Sequence, residues 1–141
     1  TNPAYGWENI TCNVTDNTDV DQVKLNLTYP DGSSSNVSMN STSGNTYYYN
    51  TTFSQIGSYS YQVWAVDVND NANNSVVDSF VLPPNYDINA DGSVDVADLN
   101  RLGLEWGSSG DAGWIREDID NNGMVSVGDL NLLGLHWMED W

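Results

Sequence analysis

One twelve-residue pattern occurs twice and constrains the chain more than any other feature. The first copy is Asp87-Ile88-Asn89-Ala90-Asp91-Gly92-Ser93-Val94-Asp95-Val96-Ala97-Asp98. The second, 31 residues later, is Asp118-Ile119-Asp120-Asn121-Asn122-Gly123-Met124-Val125-Ser126-Val127-Gly128-Asp129. Oxygen-bearing side chains fall at positions 1, 3, 5, 9 and 12 of both, with Gly at position 6. Alternate residues of a tightly wound loop point inward, so the oxygens at 1, 3 and 5 converge. Such convergence suits a hard divalent cation, and Ca²⁺ takes roughly six to eight oxygen ligands at about 2.3–2.6 Å. The expected ligands are Asp87, Asn89, Asp91, Ser93, Asp95 and Asp98 for one ion. Those for a second are Asp118, Asp120, Asn122, Met124, Ser126 and Asp129. Position 7, Ser93 or Met124, offers its backbone carbonyl. A single Asp/Asn/Gly-rich segment would read as a solvated turn; two in one frame argue against that.

Both loops end in Asp98 or Asp129, where an EF-hand has Glu at position 12. The shorter carboxylate leaves affinity and the Ca²⁺/Mg²⁺ preference open. Ile88, Ile119, Val94 and Val125 point away from the ligands and are expected to pack. The repeat continues past the loops: Asp98-Leu99-Asn100-Arg101-Leu102-Gly103-Leu104-Glu105-Trp106 aligns with Asp129-Leu130-Asn131-Leu132-Leu133-Gly134-Leu135-His136-Trp137. Each loop therefore leads into one helix. Pro83-Pro84-Asn85-Tyr86 precedes the first loop and excludes a long entering helix there.

A duplicated loop and exit helix of this kind resembles a dockerin domain. The resemblance covers about residues 86–141. It implies a small all-α domain with two calcium ions and two halves related by a near two-fold. It also implies a partner, a cohesin domain, contacted through loop positions 10 and 11 and the first turns of the exit helix. Those positions are Val96, Ala97, Val127 and Gly128. At about 100° per residue, Leu99, Leu102, Gly103 and Trp106 share one helix face with core character. Leu130, Leu133, Gly134 and Trp137 are their equivalents. Arg101 and Leu104, with Leu132 and Leu135, lie on the other face and extend the expected contact surface. Many dockerins carry hydroxyl residues at the loop positions, and this chain carries none there, so a drier contact is expected. Arg101 against Leu132 and Glu105 against His136 make the halves unequal, and which half engages stays open. Tyr86 is expected to pack against Trp137 or Trp141 and clasp the ends.

The chain carries 20 acidic against 3 basic residues, a formal charge of −17. That argues against nucleic acid or an anionic membrane as partner, since both need basic patches. Residues 83–141 hold 12 acidic and 2 basic residues, a net −10 that two divalent ions would bring to −6. No apolar run approaches the roughly 20 residues of a membrane span. Cys12 is the only cysteine, so no internal disulfide forms. The sequence carries no signal-peptide pattern, and a fragment of a longer chain is expected.

Residues 1–82 show alternation instead of helical spacing. Ile10, Cys12 and Val14 alternate with polar residues; so do Val23, Leu25, Leu27 and Tyr29, then Tyr47, Tyr49, Thr51 and Phe53, then Tyr59, Tyr61, Val63 and Ala65. A fifth run spans 75–82. Short strands at this spacing predict an antiparallel sandwich. Gly57-Ser58-Tyr59-Ser60-Tyr61 resembles an immunoglobulin-like module near its tyrosine corner, with Tyr59 at the corner and Tyr61 facing Cys12. Acceptors for N-linked glycans stand at Asn9, Asn13, Asn26, Asn36, Asn40, Asn50 and Asn73. They suit an extracellular or cell-surface protein, although polar alternation itself generates such triplets.

No G-x-S-x-G, H-E-x-x-H or Cys/His cluster appears, and His136 is the only histidine. The expectation is two domains: an immunoglobulin-like β-sandwich over 1–82, a proline linker over 83–86, and an all-α dockerin over 87–141. The expected role is non-catalytic anchoring to cohesin. The alternatives are a calcium sensor or buffer, and a carbohydrate-binding or glycan-processing fragment whose active part is residues 1–82.

Overall fold

A computed structural model describes residues 6–42 and 44–141. Ser43 and the first five residues of the expected sandwich lie outside the described residues. Contacts gather into two compact units, one of them Glu8–Leu82 and the other containing Pro83–Trp141.

The first of these is built from strands. β1 (Trp7–Asn13), β5 (Thr46–Thr52) and β4 (Asn40–Ser41) form one sheet in the order β1-β5-β4. β3 (Ser34–Ser38), β2 (Val20–Thr28), β6 (Gly57–Asp67) and β7 (Ala72–Asn74) follow one another in the second, and β8 (Asp78–Leu82) also pairs with β6. Alternation places Val23, Leu25 and Leu27 of β2 and Tyr59 and Val63 of β6 in the core with Ile10, Met39, Phe53 and Leu82. The register sets Leu25 opposite both Val37 and Val63, so the inward faces of three strands coincide. On the outward face Lys24 lies opposite Trp64, with its ammonium 5.6 Å from the indole centroid.

Tyr59 ties this unit together. Its ring stacks on Phe80 at 4.9 Å and meets Phe53 edge-on at 4.8 Å. Its hydroxyl donates to the Gln55 carbonyl at 2.8 Å and accepts from the Gln55 N–H at 3.1 Å. A buried hydroxyl needs such partners. Burial also pushes the Tyr59 phenol above its usual pKa. Tyr61 instead sends its hydroxyl to Asp78, and the Cys12 thiol meets the Met39 sulfur at 3.8 Å.

The second unit contains only α1 (Val96–Leu104) and α2 (Val127–Leu135) as helices, each nine residues long. This corrects the expected fold class: strand accounts for 39% of the described residues and helix for 13%, and residues 87–141 do not form an all-α dockerin module. The physical reason lies in the backbone. Gly92, Gly107, Gly113 and Gly123 hold positive φ, and Asp and Asn side chains bind nearby N–H groups, so most of this stretch is closed turns. The core is Ile88, Val94 and Leu102 with Ile119, Val125 and Leu133, three residues from each repeat.

Trp106 and Trp137 lie exposed rather than on a core face, because the helices stop at Leu104 and Leu135 and the helical winding ends before either tryptophan. Tyr86, expected against Trp137 or Trp141, has a ring partner in the residue before Trp137. It stacks on His136, ring centroids 3.7 Å apart and planes within 4°.

Replacing Tyr59 by Phe removes the hydroxyl and leaves the Gln55 groups without it. The expected loss is about 1–2 kcal/mol in urea denaturation of the intact chain, with the transition of the Pro83–Trp141 unit unchanged.

Candidate metal centre

Each loop is wound by its own side chains. In the second, the Asn122 N–H donates to Asp120 Oδ1 at 3.0 Å and the Met124 N–H to Asn122 Oδ1 at 2.9 Å. In the first, the Asp91 N–H donates to Asn89 Oδ1 at 3.0 Å and the Ser93 N–H to Asp91 Oδ1 at 3.1 Å. Positions 3, 5 and 7 thus form a ladder of Asx turns, with the same step in both copies. Position 4 is left-handed in both, at Ala90 (φ 60°) and Asn121 (φ 56°). Asn tolerates that region better than Ala, so the first loop carries the greater backbone cost.

Positions 9 and 12 also belong to the helices. Asp95 caps α1 by accepting from the Ala97 N–H at 2.7 Å, and Asp98 accepts from the Asp95 N–H at 2.9 Å. Ser126 and Asp129 repeat the arrangement at α2, where the Ser126 N–H donates to Asp129 at 2.8 Å. These reciprocal caps satisfy otherwise orphaned N–H groups. They also hold the position-12 carboxylate facing back into its loop: the other oxygen of Asp98 accepts from the Asn89 N–H at 3.0 Å, and that of Asp129 from the Asp120 N–H at 3.1 Å.

Asp87, Asp98, Asp118 and Asp129 are all buried. Asp118, Asp120 and Asp129 bring carboxylate oxygens within 4.8 Å of one another, a spacing that a single cation would bridge. Among the described residues this is the only such acidic trio. The first loop has Asn89 at position 3, so its corresponding positions supply two carboxylates and an amide. The oxygen-only donor set fits calcium better than a softer metal, which would favour thiolate or imidazole. Bound there, the ion would supply positive charge to carboxylates withdrawn from water.

The two loops are joined through the segments that follow the helices. After α1, the Gly107 N–H donates to the Val125 carbonyl at 2.9 Å, the Val125 N–H to Ser108 at 3.0 Å, and the Gly110 N–H to Gly123 at 3.0 Å. After α2, the Met138 N–H donates to Val94 at 2.9 Å, the Val94 N–H to Glu139 at 2.9 Å, and the Trp141 N–H to Gly92 at 3.2 Å. Each tail is thus zipped onto the opposite loop. A Cβ at Gly123 would come within 2.7 Å of the Gly110 carbonyl oxygen, so this glycine serves the crossing as well as the turn. Asn85 Nδ2 donates to the Ile119 carbonyl at 2.7 Å, and Arg116 Nη2 donates to the carbonyls of Pro84 and Asp87, so the lead-in segments cross as well.

On the outer face, Leu104 is 84% and Leu135 74% exposed, with Val96 at 59% and Val127 at 61%. Arg101 is exposed, Ala97 and Gly128 are half-buried, and Leu132 is half-buried against the core. A Cβ at Gly128 would run into the Asp120 carboxylate, which accounts for the smallest residue at that place. Trp141, which repeat matching did not single out, donates its indole N–H to Asp87 at 2.6 Å.

In the strand unit, Asn9, Asn13, Asn36, Asn40, Asn50 and Asn73 are exposed, and Asn26 is half-buried and bonded to Asn36 across the β2–β3 pair. The loop at 67–74 is closed by Asp67, which accepts from the Asn71 side chain and from the N–H groups of Asn69 and Asn71, each at 2.8 Å. These bonds, those of Asn71 foremost, hold the Asp67 carboxyl below its usual pKa. A cleft of about 350 Å³ lies beside this loop, lined mainly by Asn, Asp and Val residues and by no aromatic ring. No described helix is long and apolar enough to cross a membrane. No family model, curated protein or solved structure matches the chain.

Removing divalent ions with EDTA is expected to loosen the Pro83–Trp141 unit, because closely spaced buried carboxylates then repel. Near-ultraviolet circular dichroism of its tryptophans should fall and recover with added Ca²⁺. A signal indifferent to chelation would show that hydrogen bonds alone hold the loops.

Proposed function

We propose that residues 87–141 serve as a calcium-dependent docking module, with the cohesin-binding role that the repeated loop and exit helix imply though not the all-α fold. On this reading the module binds two Ca²⁺ ions and captures a cohesin domain, attaching its parent protein to an extracellular or cell-surface assembly. The chain acts without catalysis, and the strand unit serves as a spacer whose outward asparagines suit glycan attachment.

The observation that carries the reading is the repeated exposed leucine. Leu104 and Leu135 sit at the same place in each copy, on helices whose first turns are formed by the loops themselves. With Val96 and Val127 about two turns earlier on the same helices, they give each copy exposed apolar side chains beside a loop. Such faces are costly to leave in water and fit a partner of complementary shape. Because each loop also caps its helix, ion binding and presentation of the face depend on the same residues. Leu132 is half-buried where Arg101 is exposed, so the two faces are unequal.

The test is binding of the intact chain to a panel of purified cohesin domains by calorimetry, with Ca²⁺ and with EDTA. Binding is expected with Ca²⁺ alone and is expected to vanish in Leu104→Asp/Leu135→Asp at unchanged calcium stoichiometry. Calcium uptake with no cohesin bound would leave the loops as structural staples.

A further inference from the structure

We infer that Trp141 is a positioning residue of the first calcium loop, so that this site is completed by the segment following the other copy's helix. The inference rests on the reading of the loops as ion sites.

Position 1 of each loop is a buried Asp with one oxygen held by two N–H donors. In the second loop, Asp118 Oδ2 accepts from the Gly123 N–H at 3.0 Å and the Gly113 N–H at 2.8 Å. Both donors are backbone groups within five residues of it. In the first, Asp87 Oδ2 accepts from the Gly92 N–H at 3.0 Å and from Trp141 Nε1 at 2.6 Å. The second donor is now an indole 54 residues away. The Trp141 backbone N–H bonds the Gly92 carbonyl at 3.2 Å, and Ser93 Oγ donates to Asp140 at 2.8 Å, so the tail is anchored at the residue that carries the indole and at the one before it. Gly110 holds the corresponding tail position in the first copy and has no side chain to offer.

Donors to one oxygen of a ligating carboxylate fix its orientation, and losing such a partner typically weakens metal binding about 10–100-fold. Trp141 therefore tunes the first site and leaves the second alone. The loops also supply separate reporters, since the Gly92 and Gly123 amides each donate to their own position-1 Asp.

The experiment is a Ca²⁺ titration of the intact ¹⁵N-labelled chain, following the Gly92 and Gly123 amide resonances in wild type and Trp141→Phe. Phe keeps an aromatic ring and removes the N–H. The expected result is a loss of at least about 10-fold in affinity at Gly92 with Gly123 unchanged. Thermal unfolding at saturating Ca²⁺ serves as the check that the variant folds. Equal weakening at both glycines would mark a general structural role and overturn the inference, as would no change at either. If neither glycine responds to Ca²⁺ in wild type, the ion reading itself fails; if both respond and Trp141→Phe is indifferent, only this inference does.

Discussion

A carboxylate withdrawn from water must be met by donors or by positive charge, and four of them govern the Pro83–Trp141 unit. Asp87, Asp98, Asp118 and Asp129 are as buried as the six aliphatic side chains of the core. Unmet, each would cost several kcal/mol. The chain answers with backbone N–H groups from turns, caps and crossing tails, which is why so little of the unit is regular helix. The hydrophobic contribution is small by comparison in extent: six aliphatic residues, each contributing about 1.5–3 kcal/mol when fully buried, stabilise some sixty residues only narrowly. An ion between the acidic side chains would then decide between an ordered and a loosened unit.

The Glu8–Leu82 unit solves a different problem by simpler means. Its core comes from alternation on β2 and β6 and from one aromatic cluster about Tyr59. Asn, Ser, Thr and Gln recur on its outward faces beside Lys24 and Trp64, with less charge than crowds the loops of the other unit.

Much of the candidate site was legible because its information is local. Ligand-type residues at fixed offsets, the position-6 glycines, and Ile88, Val94, Ile119 and Val125 packing behind them all follow from how a short loop winds. What depends on closure of the chain was not legible. The stripe through Trp106 and Trp137 assumed helices longer than those that form. β3 carries a single aliphatic residue, Val37, so its pairing with β2 left no alternation to read. β7, three exposed polar and small residues, gave no signal either. The Trp141 contact joins positions 54 apart and has no counterpart at Gly110. The expected all-α class failed for a related reason: the repeat reports what each loop does, and the tails, lead-ins and turns between repeats outnumber the eighteen helical residues.

The crossing tails have a consequence for how such a repeat closes. Each copy offers a loop edge at positions 6–8 that its own tail does not reach, and offers its tail to the other loop. A single copy is therefore an open half, with one unpaired edge and one unpaired strand that complement each other. Two identical copies brought together about a two-fold axis would close both at once. Within the one chain the duplication supplies both halves of that closure, so each copy's loop edge and tail are satisfied only by the other.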